Sequence, residues 1–117
     1  MLIGIVGYGN HAKRLIDLTR RLEFIEQHIC YHPNKKSDGL VNKLDCLNSA
    51  DAIFITSPND THFAYIKYFL NHSEAAIFCE KPPATTIEDV NRLSNLTKNQ
   101  KRRVFFDFNY RFSNLAE

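Results

Sequence analysis

Three short stretches of this sequence carry side chains whose types and spacing could do chemistry. The first, Gly7-Tyr8-Gly9-Asn10-His11-Ala12, follows an apolar run from Leu2 to Val6. A strand that turns sharply into a helix while a pyrophosphate approaches its backbone needs these residue types. Gly7 permits the tight turn, Gly9 has no Cβ to stand between main chain and phosphate, and Ala12 lets the helix pack close to the strand. The helix N-terminus then offers unpaired N–H groups to the anion. Three small residues at this spacing also arise by chance, so the weight of the pattern comes from its place behind a strand-like run.

The second stretch is Ser57-Pro58-Asn59-Asp60-Thr61-His62. Its polar groups could meet a nicotinamide ribose or could merely cap the following helix, and capping alone accounts for Asp60 or Thr61. His62 reads either as a ligand contact or as a satisfied surface histidine, and the residues by themselves favour the surface. The third stretch, Glu80-Lys81-Pro82, sets opposite charges directly after an apolar run, with proline fixing the exit. A surface ion pair is the common fate of such a pair. A lysine at the mouth of a partly desolvated cleft has a depressed pKa and can donate to a substrate hydroxyl or carbonyl oxygen.

The elements that must position these stretches alternate in type. Ala12, Leu15, Ile16 and Leu22 recur at helical spacing after the first strand, and Phe24 to Tyr31 reads as a second strand ended by His32-Pro33-Asn34. A brief strand near Leu40 and a helix around Lys43 to Asn48 follow, then a continuous strand over Ala52 to Thr56. Thr61 reads as the N-cap of a helix with Phe63, Ile66, Phe69 and Leu70 as its apolar stripe, and Ala75 to Cys79 as another buried strand. A capping-box pattern from Thr85 to Glu88 opens a last helix with Ile87, Val90, Leu93 and Leu96 on its buried face. Lys101-Arg102-Arg103 reads as a solvated turn before a strand from Val104 to Phe112, which alternates strictly. The expected fold is therefore α/β, a doubly wound parallel sheet covered on both faces. Pro33, Pro58 and Pro82 each stand just past a strand end, so all three turns should share the edge where such sheets bind ligands.

At 117 residues, with 44% hydrophobic and 24% charged residues, the chain has the make-up of one ordinary soluble domain. A formal charge of +2 gives no broad basic footprint, which argues against nucleic acid as a partner. The apolar N-terminus is broken by Gly4, Gly7 and Gly9, too soon for a signal peptide, and no run reaches membrane-spanning length. A cytoplasmic protein is expected. Cys30, Cys46 and Cys79 show neither a CxxC pair nor histidine at ligand spacing, so no metal is expected and the cysteines read as structural.

Taken together, Gly7-Tyr-Gly9-Asn-His-Ala12, Thr56-Ser57-Pro58-Asn59-Asp60-Thr61-His62, Cys79-Glu80-Lys81-Pro82 and Asn109-Tyr110-Arg111-Phe112 resemble, in order and spacing, the Gfo/Idh/MocA oxidoreductases. That family includes glucose-fructose oxidoreductase, inositol dehydrogenase and many nucleotide-sugar dehydrogenases. The resemblance implies an NAD- or NADP-dependent oxidoreductase acting on a sugar, polyol or nucleotide-sugar alcohol. It implies that Gly7 to Ala12 hold the pyrophosphate, that Ser57, Pro58, Asn59 and His62 line the nicotinamide side, and that Glu80 and Lys81 stand beside the hydride-transfer centre. Lys81 is then the candidate catalytic lysine. A module that senses or scaffolds through a bound nucleotide is the alternative, and it has no need of that lysine.

Two departures from the family's pattern matter. Its second strand often ends in an acidic residue that binds the ribose 2′-hydroxyl, whereas this one ends Tyr31-His32-Pro33-Asn34-Lys35-Lys36. Basic residues such as Lys35, beside His32, suit a 2′-phosphate and tilt the expectation towards NADP, although an exposed turn explains them equally well. Beyond Glu117 the family continues into a second α/β domain that carries the substrate pocket. Residues 1–117 are accordingly expected to be the cofactor-binding half of a longer enzyme, with apolar surface that favours a homo-oligomer.

Overall fold

The computed structural model describes residues 1–36, 39–80 and 82–106. Six strands form one sheet: β1 (Leu2–Val6), β2 (Gln27–Tyr31), β3 (Leu40–Val41), β4 (Ala52–Ile55), β5 (Ala76–Cys79) and β6 (Val104–Phe106). All pair in parallel, in the order β3-β2-β1-β4-β5-β6. The chain thus winds outward from β1 in one direction, returns to β4, and winds outward in the other. The reversal falls between β1 and β4, where the loops diverge and leave a crevice at the carboxyl ends of the strands.

Alternation along the strands builds a core on each face of the sheet. Ile3, Ile5, Cys30, Ala52 and Phe54 meet Ala12 and Leu15 of α1 (Asn10–Thr19) on one face. Val6, Tyr31, Ile53, Ile55, Ile77 and Cys79 meet Ile66 and Phe69 of α2 (His62–His72) on the other. β6 keeps the expected alternation over its described residues. Val104 and Phe106 lie on the α2 side, while Phe105 stacks on Phe78 at 5.0 Å and Phe78 on Phe54 at 4.7 Å. The rest of the strand expected to run to Phe112, including Asn109 to Phe112, lies outside the described residues. Cys30 and Cys79 are buried as expected, and Cys46 is exposed. Burial pushes the Cys79 thiol up to about 12, which keeps it an inert core group.

Several boundaries differ from the sequence expectation. α1 ends at Thr19, whose hydroxyl donates back to the Leu15 carbonyl, so Leu22 falls beyond the helix. β2 starts at Gln27, leaving Phe24 59% exposed. The helix expected at Lys43 to Asn48 is a 3₁₀ turn, Leu44–Leu47. α3 (Ile87–Ser94) is capped by Thr86, whose hydroxyl accepts from Asp89 N, and not by Thr85. Its expected buried face is corrected as well: Ile87 is 81% and Val90 49% exposed, and only the Leu93 end packs on the core. Helical spacing tells which residues share a face, not whether anything lies beneath it. Lys101 and Arg102, expected in a turn, belong to α4 (Lys98–Arg102), which opens with a Thr97–Gln100 capping box. Arg103 then donates to the Leu70 and Ser73 carbonyls at the end of α2. Among the described residues no helix is long and apolar enough to cross a membrane.

Candidate functional site

The glycine turn is wedged between the ends of its two neighbouring strands. Gly7 N donates to the Tyr31 carbonyl at 2.8 Å, and Thr56 donates to the Val6 carbonyl from both its N–H and its hydroxyl. Gly7 has φ +102°, a conformation that favours glycine, and a Cβ there would come within 2.9 Å of Thr56 Oγ1 and 3.2 Å of Ser57 N. Gly9 differs in kind. Its backbone is extended, and a Cβ would meet nothing within 4 Å, so this main chain faces open space. Gly9 is also the N-cap of α1 and lends no side-chain hydrogen bond to the first turn, which holds no acidic residue. Ala12, fully buried, brings α1 down onto the sheet.

The turn after β2 is tied to the glycine turn. Asn34 N and Lys35 N both donate to His32 Nδ1, at 3.0 and 2.9 Å, which leaves the ring proton on Nε2. Lys35 Nζ donates to the Tyr8 carbonyl at 2.9 Å, and Lys13 Nζ lies 5.0 Å from the Tyr8 ring centre. Asn42 closes the turn from behind, donating to the His32 and Lys35 carbonyls.

After β4, Thr61 Oγ1 donates to the Pro58 carbonyl and therefore accepts from the Ser57 hydroxyl at 2.7 Å. Thr61 is the N-cap of α2 as expected, but its hydroxyl lends no cap bond, because it is turned back onto the 3₁₀ turn Asn59–Thr61. His62 is not at the surface either. It is 1% exposed, with Nδ1 2.8 Å from the Pro82 carbonyl and Nε2 2.9 Å from the Ser57 carbonyl. Burial and the nearby Tyr31 raise the Tyr65 pKa, so its hydroxyl stays neutral beside the cleft.

These turns enclose a cleft of about 490 Å³ at the crevice between β1 and β4, within the size range of small-molecule sites. Of the residues expected there, Gly7, Tyr8, Gly9, His32, Lys35, Ser57 and Pro58 line it together. Asn10 begins α1, Asn59 is exposed on its 3₁₀ turn, and Glu80 is half-buried past β5; none of the three lines the cleft. The side chain of His11 and all of Lys81 lie outside the described residues. Thr56, Thr61 and Tyr65 line the cleft without having been expected to do so. Tyr65 follows Thr61 by one helical turn, so i, i+4 spacing was the signal that could have found it. A larger hollow, about 710 Å³, lies at the opposite edge between residues 48–51 and 70–75 and holds none of the expected site residues.

The residues of the cleft fit a dinucleotide: a turn with no room for a side chain at Gly7, an open main chain at Gly9, and a helix start without acidic groups. An inositol 2-dehydrogenase of Rhizobium meliloti (strain 1021) is 35% identical over 75 residues, 62% of this chain and 22% of that protein. The scyllo-inositol dehydrogenase of Lactobacillus casei, solved with bound NAD(H) and scyllo-inositol, superposes with a TM-score of 0.75 at 24% identity, over 96% of this chain and 37% of that one. A Gfo/Idh/MocA family oxidoreductase from Vibrio cholerae gives 0.75 at 20% identity, over 93% and 39%. The matched stretches thus span only 13% to 22% of the curated relatives. The sequence model of the Gfo/Idh/MocA oxidoreductase family, NAD-binding Rossmann fold, matches residues 1–108, and the chain belongs to that family.

Proposed function

We propose that this domain holds NAD(P) for an enzyme that oxidises an alcohol group of a sugar, polyol or nucleotide sugar. One observation carries the reading: the glycine turn, the His32–Lys35 turn and the Ser57–Thr61 turn converge on one cleft at the point where the sheet reverses direction. The inositol dehydrogenases among the relatives favour a polyol within that class.

The bound cofactor would supply the hydride acceptor, and the protein's part is to bind, orient and move protons. Main-chain N–H groups at the start of α1, with Gly9 leaving room for close approach, hold the pyrophosphate. His32 presents an Nε2–H donor, and Lys35, which gives one of its three N–H donors to Tyr8, adds positive charge. Where a carboxylate would accept from a ribose 2′-hydroxyl, donors and cations suit a 2′-phosphate, which favours NADP over NAD. Pro58 lines the nicotinamide side with Asn59 just outside the cleft, and Glu80 and Lys81 are assigned to the neighbourhood of the reacting carbon. Lys81 donates a hydrogen bond to the substrate oxygen and, in the reductive direction, its proton. The same reading places the enzyme in the cytoplasm, where its cysteines stay reduced. It makes the enzyme a homo-oligomer, with neither nucleic acid nor membranes among its partners.

The test is turnover of NADP⁺ and NAD⁺ by the full-length gene product with a panel of inositols, sugars and nucleotide sugars. Lys81→Ala should lower kcat/KM by about a hundredfold or more and leave cofactor affinity within about twofold, because the lysine serves the substrate oxygen and not the pyrophosphate. Unaltered turnover in Lys81→Ala would remove Lys81 from the chemistry, and no cofactor reduction across the panel would remove the substrate class.

A further inference from the structure

We propose that His62 is a positioning residue, a buried tie that holds the turn after β4 against the turn after β5 and thereby fixes the nicotinamide-side wall of the cleft. The proposal rests on the cofactor reading above for what the wall does, but not for the tie itself.

The sheet hydrogen bonds between β4 and β5 run out at the pair Ile55 and Cys79. Past that point the two chains leave as separate turns, and the His62 ring takes over as a link between them. Its two nitrogens reach the Ser57 carbonyl, five residues back, and the Pro82 carbonyl, twenty residues on. With 1% of the residue exposed, the ring is held where its N–H must find an acceptor. A neutral imidazole carries one N–H: on Nδ1 it donates to the Pro82 carbonyl and makes the tie, with Nε2 then facing the Ser57 carbonyl without donating to it. His62 therefore acts through the two turns and not by touching a ligand.

Both turns matter to the proposed chemistry. Ser57 lines the cleft, and its hydroxyl is bonded through Thr61 to the Pro58 carbonyl, so the turn that packs against the His62 ring is braced as a unit. Pro82, whose carbonyl the His62 ring reaches, directly follows the candidate Lys81 in the sequence. A displacement of about 1 Å at such a position costs a reaction far more than it costs folding.

The tie is tested by hydrogen exchange on the unliganded protein in three forms: the natural chain, His62→Phe and His62→Gln. Phenylalanine keeps a ring of similar bulk and removes the N–H donor, whereas glutamine keeps an N–H₂. In His62→Phe the amide of Thr61, which donates to the Pro58 carbonyl, should exchange about tenfold or more faster, with β1 and the glycine turn at their natural rates. Glutamine should recover much of the protection. Acceleration spread evenly through the sheet would show a core filler, and unaltered rates would show no tie; either result overturns the proposal. Ligand titration then separates the wall from the fold. His62→Phe should weaken NADH about tenfold and ADP-ribose, which lacks the nicotinamide, by less than about twofold. Equal weakening of both would detach the tie from the nicotinamide side. If the natural chain binds neither ligand, the cofactor reading fails, while the exchange pattern still decides whether the tie exists.

Discussion

Gly7 and Gly9 stand two residues apart in one motif and do different work. Gly7 answers to the fold, since its φ of +102° and the 2.9 Å approach of Thr56 Oγ1 leave no place for a methyl group. Gly7→Ala should destabilise the domain by about 1–3 kcal/mol, measured by urea unfolding. Gly9 answers to a ligand. Its extended backbone strains no residue and its missing Cβ would meet nothing, so Gly9→Ala should hold stability within about 0.5 kcal/mol. The same change should weaken NAD(P) by about tenfold, roughly what one displaced hydrogen bond is worth. Natural affinity in Gly9→Ala would show that the open main chain is not where the pyrophosphate lies. The glycines were legible in the sequence because local backbone demands choose the residue type. His62 was not, because its partner at Pro82 lies twenty residues away and only the sheet brings the two together.

At the scale of elements, the strands read well, since their residues are buried on both faces and the apolar runs say so. α3 read less well, because its amphipathic pattern promises a covered face and its first turn stands clear of the core. α4 is five residues long, too short to show a period, and only the Thr97–Gln100 capping box announces it. The junction of α1 and β2 carries a pH dependence. Thr19, at the end of α1, bonds His28 Nε2 on β2, and burial followed by the charge of Arg20 lowers the His28 pKa below 6.5. Since the unfolded chain takes up this proton at higher pH than the folded one, it binds more protons in that window. Stability from His28 should therefore be full above pH 6.5 and be lost as the pH falls through the lower, folded value. Urea unfolding at stepped pH should show this slope in the natural chain and a shallower one in His28→Gln. Equal slopes in the two proteins would assign the effect elsewhere.

The whole molecule places its chemistry by topology. Strand order β3-β2-β1-β4-β5-β6 sets the ends of β1 and β4 side by side with the chain leaving each in an opposite direction, and the cleft opens between them. The expectation that the turns at Pro33, Pro58 and Pro82 share one edge was legible from strand alternation alone. Pro33 and Pro58 line the cleft, and Pro82 is joined to its wall through His62. What the sequence left open was how the turns close on one another, which depends on Lys35 reaching Tyr8 and on Asn42 bracing the His32 turn. The measurement that bears most directly on this account is a calorimetric titration of NADP⁺ and NAD⁺, each separately, into the folded chain. Binding of about micromolar strength is expected, with NADP⁺ the tighter. A folded chain that bound neither would contradict it.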